Sequence, residues 1–275
     1  MTRRRNTNID RHWDEITWLY LNNFESTVSL GEKFSVHAST IERRLKQSGI
    51  PVRPGGNLTE NHTAFDEINP DMLYWLGYLA GDGCVTHNAN GILSIISITS
   101  IDIEHIDKFL HFLSSHSKIT RRESEINGKK YVVHGAKITS ERIANRLVFL
   151  GVTPRKSRTI SICQQSIVST VDFLRGIIDS DGSLTITADG FTPTISIYTS
   201  SGKFSEQLSL GFNEMFGETC GIYYDKRGSG AYQVALHGKR ILPILHRLYS
   251  GDDISLNRKR DIALDVLERF GYAQI

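Results

Sequence analysis

The sequence has 275 residues, is 39% hydrophobic and 23% charged, and sets 32 Lys and Arg against 30 Asp and Glu for a net charge of +2. That composition is ordinary for a globular chain long enough to bury a sizeable core, and no run of about 18 apolar residues exists to cross a membrane. The first residues lead into no apolar secretory stretch, and Cys84, Cys163 and Cys220 are too few and too scattered for a disulfide framework or a zinc site, so a reducing compartment is expected.

Residues 1–54 read as three short helices. Ile9, Ile16, Leu19 and Tyr20, with Trp13, Trp18 and Leu21 nearby, make the first apolar-rich. A second covers about 26–34. A third runs from about 39 to 47, with Ser39 as its expected N-cap, Gly49 as a stop and Pro51 beyond it. On the third helix Ile41 and Leu45 share a face, which leaves Thr40, Arg43, Arg44 and Gln47 largely outward. The order is similar to a helix-turn-helix, whose last helix enters the major groove of DNA and would here present those four residues. A small helical bundle with an exposed basic face fits the same pattern. Pro54-Gly55-Gly56-Asn57 breaks every periodicity, and 55–68 reads as a linker.

An internal repeat follows. Residues 73–83 read Leu-Tyr-Trp-Leu-Gly-Tyr-Leu-Ala-Gly-Asp-Gly, and residues 172–182 read Asp-Phe-Leu-Arg-Gly-Ile-Ile-Asp-Ser-Asp-Gly. Each is an apolar helix ending in an acid followed by Gly, and Asp82 and Asp181 stand 99 residues apart. Gly77 and Gly81 in the first copy, and Gly176 and Ser180 in the second, put small residues on one helical face, where two backbones can approach closely. Packed side by side, the helices would deliver both carboxylates to one place. An isolated acid-Gly pair is more often only a helix end; its recurrence at one point of one pattern argues for more.

The order after each motif matches too. A hairpin over 84–87 and 92–100, a helix over about 102–115, strands over 118–124 and 129–139 joined through Asn127-Gly128, and a helix over 141–150 complete the first unit. The second repeats this with strands near 183–187 and 192–200, a helix over 203–216, strands near 221–225 and 231–237 and a helix over 239–249. Leu184 and Ile186, and Ile195 and Ile197, alternate with hydroxyl-bearing neighbours, so the sheet has an apolar face and a polar face that includes Thr185, Thr187, Ser196 and Tyr198. A basic residue closes each unit: Lys156 follows Asp82 by 74 residues and Lys259 follows Asp181 by 78.

Charge is unevenly spread along this plan. Residues 55–116 carry a net −7 and residues 117–159 a net +8. The basic block, with Arg121, Arg122, Lys129 and Lys137, is either a solvated surface or a contact for a polyanion, whose phosphates need charge of that sign.

At these residues the chain resembles a LAGLIDADG homing endonuclease in its single-chain, two-motif form, over roughly residues 65–271. The resemblance implies an α+β fold, a pseudo-twofold pair of α-β-β-α-β-β-α subdomains over 69–160 and 161–275. The motif helices would pack on the axis, and two saddle-shaped antiparallel sheets would lie on double-stranded DNA. By similarity Asp82 and Asp181 hold the metal, Gly81 and Ser180 assist through backbone carbonyls, and Lys156 and Lys259 occupy the basic pocket positions. Ala80 stands where the second copy keeps Asp179, and Tyr78 and Arg175 also depart from the motif's letters, all at positions where the family varies.

Hard carboxylate donors suit Mg²⁺ or another divalent cation, and two such acids on a twofold axis could serve both strands in metal-assisted phosphodiester hydrolysis. The implied protein is a monomer with no membrane association, working on nucleoid DNA in a microbial cytoplasm or in an organelle matrix. A terminal His-Asn pair, which an intein would need, is not found. Two alternatives use the same scaffold without cutting DNA: an RNA maturase, and a transcription regulator beside a helix-turn-helix. Both acids and both lysines are dispensable for binding alone, which favours the nuclease.

Overall fold

The structure, a computed structural model, describes residues 7–22, 25, 27–52, 60–126, 129–187, 190, 192–226 and 230–272. It divides into two compact units, residues 1–60 and 61–275. Among the described residues no helix is long and apolar enough to cross a membrane.

The first unit holds α1 (Thr7–Arg11), α2 (Trp13–Asn22), α3 (Thr27–Phe34) and α4 (Ala38–Gln47). Ile9, Ile16, Tyr20, Leu30, Ile41 and Leu45 are among the side chains that close its own small core. The first expected helix is broken at His12 into α1 and α2. The expected N-cap at Ser39 is displaced: His37 has extended backbone, and its ring accepts from the Ser39 N–H at 3.4 Å, so α4 begins earlier and Ser39 lies within its first turn. Gly49 ends α4 as expected. At φ +71° it lets its own N–H reach Lys46 O at 3.2 Å and the Ile50 N–H reach Leu45 O at 2.9 Å, capping two carbonyls.

The second unit runs α5 (Pro70–Gly81), β1 (Cys84–His87), β2 (Leu93–Ser100), α6 (Ile103–Phe112), β3 (Thr120–Ile126), β4 (Lys129–Thr139) and α7 (Glu141–Leu150). After a 3₁₀ turn at Lys156–Arg158 come the short α8 (Gln165–Val168), α9 (Val171–Asp181), β5 (Gly182–Ile186), β6 (Pro193–Thr199), α10 (Gly202–Phe216), β7 (Gly221–Asp225), β8 (Ala231–His237), α11 (Leu242–Tyr249) and α12 (Asn257–Arg269). The α-β-β-α-β-β-α order therefore occurs twice, as the sequence implies. Polar caps place the helix starts: Asn69, Ser140, Thr170 and Ser201 each accept a backbone N–H from the first turn of α5, α7, α9 and α10.

Each copy folds its strands into one antiparallel sheet, in the order β1-β2-β4-β3 and β5-β6-β8-β7. Alternation turns Ile96, Ile98 and Ile138 of the first sheet, and Ile195, Ile197 and Val234 of the second, onto a single continuous core that also receives α5 and α9.

Two expectations need correction. Residues 61–68 are not linker: the Asn61 N–H bonds Leu113 O at 2.7 Å, and Phe65 is fully buried edge-on against Phe112. The earlier part of the expected linker, like the turn residues Asn127 and Gly128, lies outside the described residues. Helix α12 was not expected at all. Its buried stripe is Lys259, Ala263, Val266 and Leu267, and a stripe that opens on a lysine does not register as an apolar face.

Candidate active site

Helices α5 and α9 pack backbone to backbone, and glycine makes this possible. A Cβ on Gly77 would sit 2.3 Å from Phe173 O, and one on Gly176 would sit 2.1 Å from Tyr74 O. The pairing is reciprocal, as a pseudo-twofold axis requires. It also brings the two C-terminal ends together: a Cβ on Gly81 would meet Ser180 Oγ at 2.2 Å and Asp181 Oδ2 at 2.9 Å. Asp82 caps α5 and Asp181 is the last residue of α9, so both acids emerge where the helices meet.

That is a poor place for a carboxylate, because a helix C-terminus already carries partial negative charge and exposed carbonyls. The two lysines answer this. Lys156, buried, donates through Nζ to Gly81 O at 2.7 Å and to Gly83 O at 2.6 Å. Lys259, also buried, donates to Ile178 O at 2.5 Å, Asp179 O at 2.8 Å and Gly182 O at 2.7 Å, with Ser180 O at 3.4 Å. Each lysine thus braces the motif of its own copy, as the near-equal spacing in sequence suggested.

The acids remain open to solvent on one side, yet the protein around them strips much of their hydration. Burial and the like charge of Asp82 raise Asp181 to about 6, against the pull of Lys156 and Lys259. Burial also raises Asp82, opposed by Lys259 and Lys156. Burial draws the Lys259 ammonium down to about 8 and lowers Lys156. Two acids that resist ionising together are relieved by an added cation.

Each acid opens onto the solvent face of a sheet. Asp82 borders a cavity of about 390 Å³ shared with Cys84, Ser97, Thr99, Arg122 and Lys137. Asp181 borders one of about 270 Å³ with Gly81, Lys156, Ser157 and Tyr198. Thr185 and Thr187 are exposed on the second copy.

Other expected contacts fall elsewhere. Successive residues of a strand point to opposite faces. Arg121, which pairs with His134, therefore stands on the face of Ala136 and Ile138, away from Arg122 and Asp82. Ser196 is buried at 5% exposure and accepts from Gln233 Nε2 at 3.0 Å. The side chain of Lys129 lies outside the described residues. In the first unit Arg43 and Gln47 are exposed and Thr40 is half-buried. Arg44 is not free as expected: it is ion-paired with Asp10 and lies 4.8 Å over the Trp13 ring, tying α4 to α1 and α2.

Asp179 gained no role from sequence, and the structure gives it one. Its buried carboxylate accepts from Tyr74 OH at 2.7 Å, Tyr249 OH at 2.8 Å and the Leu256 N–H at 2.6 Å. Leu256 precedes α12, so this bond places the turn that carries Lys259. Arg175 is equally buried and bonds Ile254 O at 2.8 Å and Leu248 O at 3.3 Å, holding the same loop from its other side.

Among the described residues no group of three or more His, Cys, Asp or Glu side chains is placed to hold a metal ion. The donors present nevertheless fit a hard divalent cation. Asp82 and Asp181 supply carboxylates, and Gly81 O and Ser180 O each keep a lone pair beyond the one facing a lysine.

Residues 69–148 match the LAGLIDADG-like domain family. No curated protein matches the sequence. Among solved structures, the homing endonuclease I-WcaI bound to its DNA recognition sequence is 13% identical, with 76% of this chain and 94% of that one covered at a TM-score of 0.53. I-DmoI in complex with DNA and Ca is 17% identical, covering 75% and 99% at a TM-score of 0.48. Full-length DUF199/WhiA from Thermatoga maritima is 13% identical, covering 81% and 68% at a TM-score of 0.45. At such identities the likeness is one of fold: residues 61–275 carry the two-sheet fold of the two-motif LAGLIDADG homing endonucleases.

Proposed function

We propose that this chain is a divalent-metal-dependent, site-specific DNA endonuclease that breaks both strands of a long target, as a homing endonuclease does. One observation carries the reading: two carboxylates at the meeting ends of two helices, each backed by its own buried lysine. The lysines would brace a scaffold that only binds DNA as well, but such a scaffold gains nothing from two desolvated carboxylates held together.

Asp82, Asp181 and the carbonyls of Gly81 and Ser180 would hold the cation, with Mg²⁺ the natural occupant for an all-oxygen set completed by water and phosphate. When bound, it supplies Lewis acidity and a lowered pKa for attacking water. Lys156 and Lys259 hold fixed positive charge where the phosphate develops negative charge, already desolvated and oriented by backbone carbonyls. In the hydrolysis, a water oxygen bonds to phosphorus and gives up one proton to solvent, the bond from phosphorus to the leaving sugar oxygen breaks, and that oxygen takes a proton from solvent. Arg122 and Lys137 neutralise phosphates or meet bases beside Asp82. Both acids come from one chain, so the active form is a monomer. Residues 1–54 extend the footprint, with Arg43 and Gln47 of α4 facing DNA.

The test is cleavage of a plasmid library bearing candidate sites in Mg²⁺, comparing wild type with Asp82→Asn and Asp181→Asn. Wild type is expected to linearise plasmids carrying one defined sequence, and both variants to bind that sequence without linearising it. A wild-type protein that binds a defined site and never cuts it overturns the nuclease reading in favour of a regulator.

A further inference from the structure

The solvent faces of the two sheets differ in chemistry. Strands β1 to β4 contain five Lys and Arg, and Arg122 and Lys137 stand at the Asp82 cavity. Strands β5 to β8 contain none. Across the middle of that second sheet runs one transverse row: Tyr198 of β6 pairs with Gln233 of β8, which pairs with Tyr223 of β7. Both tyrosines are about half exposed, at 48% and 56%, while Ile197 and Val234 beside the row point into the core. The row therefore faces outward on the side that carries Asp181's cavity, which Tyr198 also lines.

Gln233 is the polar centre of this row, and it is held. Its Nε2 donates to Ser196 Oγ at 3.0 Å, and Ser196 is itself buried. A surface glutamine ordinarily gives up much rotamer freedom when it binds; here one bond already fixes the amide plane. That bond uses one of the two Nε2 protons. One N–H and the Oε1 acceptor remain in that plane, a donor and an acceptor held on one amide. Adenine presents the complement in the major groove, an N7 acceptor next to the N6 donor, whereas guanine presents two acceptors there.

We infer that Gln233 is a specificity-determining residue that reads an adenine in the part of the target under the second sheet, with Ser196 as its positioning residue. Lacking Lys and Arg, that sheet recognises its part of the site through base edges, while the first sheet uses cations. The inference rests on the DNA-binding part of the proposed function and is independent of cutting.

The experiment is selection of the full chain on a randomised duplex DNA library in EDTA, followed by affinity measurements on the selected site. Wild type is expected to select an adenine whose replacement by guanine costs about 10-fold in affinity. In Gln233→Ala that replacement should cost less than about 2-fold, with preferences at other positions unchanged. Ser196→Ala should keep the adenine preference at about 3-fold, and all three proteins should bind non-specific DNA alike. Unaltered preference in Gln233→Ala, or an equal loss on every sequence, overturns the inference. If wild type selects no sequence at all, site-specific DNA binding fails first and takes the inference with it.

Discussion

Replacing Asp179 by alanine tests how the site is held. The carboxylate satisfies Tyr249 OH, the Leu256 N–H and Tyr74 OH, and among the described residues Tyr74 OH is the one of these with a further hydrogen-bond neighbour, His105 Nε2 at 3.2 Å. Two buried donors lose their acceptor, at about 1–3 kcal/mol each. Relief of the desolvated carboxylate, whose pKa burial raises despite its three donors, offsets part of this. A net loss of about 3 kcal/mol follows. In a unit the size of residues 61–275, that lowers the melting temperature by about 6–12 °C. Asp179→Asn keeps an acceptor and should lose less than half as much. Urea and thermal unfolding of the metal-free full chain give the magnitudes, and hydrogen exchange gives the location. Amides at the start of α12 should lose protection in Asp179→Ala more than those of α5 do. A stability change under about 1 kcal/mol, or equal loss of protection in α5 and α12, refutes the bracing role.

Three further outcomes are expected. Gly176→Ala places a methyl 2.1 Å from Tyr74 O and should lower the urea midpoint by at least the equivalent of about 3 kcal/mol; a neutral effect would contradict backbone-to-backbone packing. Asp181 titrates near 6 in the folded chain against an ordinary 3.8, so the stability it contributes is present below about pH 4 and lost as pH rises through 6. Metal-free Asp181→Asn should therefore match wild type in acid and exceed it in urea midpoint above pH 6. Arg122→Ala should reduce the salt dependence of DNA binding by about one unit of slope, while Arg121→Ala leaves it unchanged; equal effects would remove the assignment of opposite faces.

The parts of this molecule legible in sequence were those set by local periodicity or by repetition. Two copies of one pattern made Asp82 and Asp181 equivalent, and equal spacing paired Lys156 with Lys259, because both signals lie along the chain. What sequence could not show was fixed by neighbours in space. Arg121 and Arg122 look alike as charges, and strand register alone separates them. Arg44 and Arg43 read alike along the chain, and Asp10 and Trp13 close on Arg44 across three helices. Ser196 shares its face with Tyr198 but lies beneath Gln233, so it supports a contact and does not make one. Asp179 reads as a motif letter; its three donors lie up to 105 residues away in sequence.

The braces at the helix ends bear on when the site comes into being. Gly81 and Lys156 are separated by 75 residues and Gly182 and Lys259 by 77, so each brace closes a long loop whose ordering must precede it. Before closure, an emerging chain holds an acid at a helix end with no cation beside it and exposed carbonyls below it. Neither half can present its acid and lysine together until nearly all of its strands and helices are in place. On the proposed function this acts as an interlock: a misfolded or half-made chain carries the nucleic-acid-binding surface piecemeal, and the capacity to cut arrives only with the finished fold.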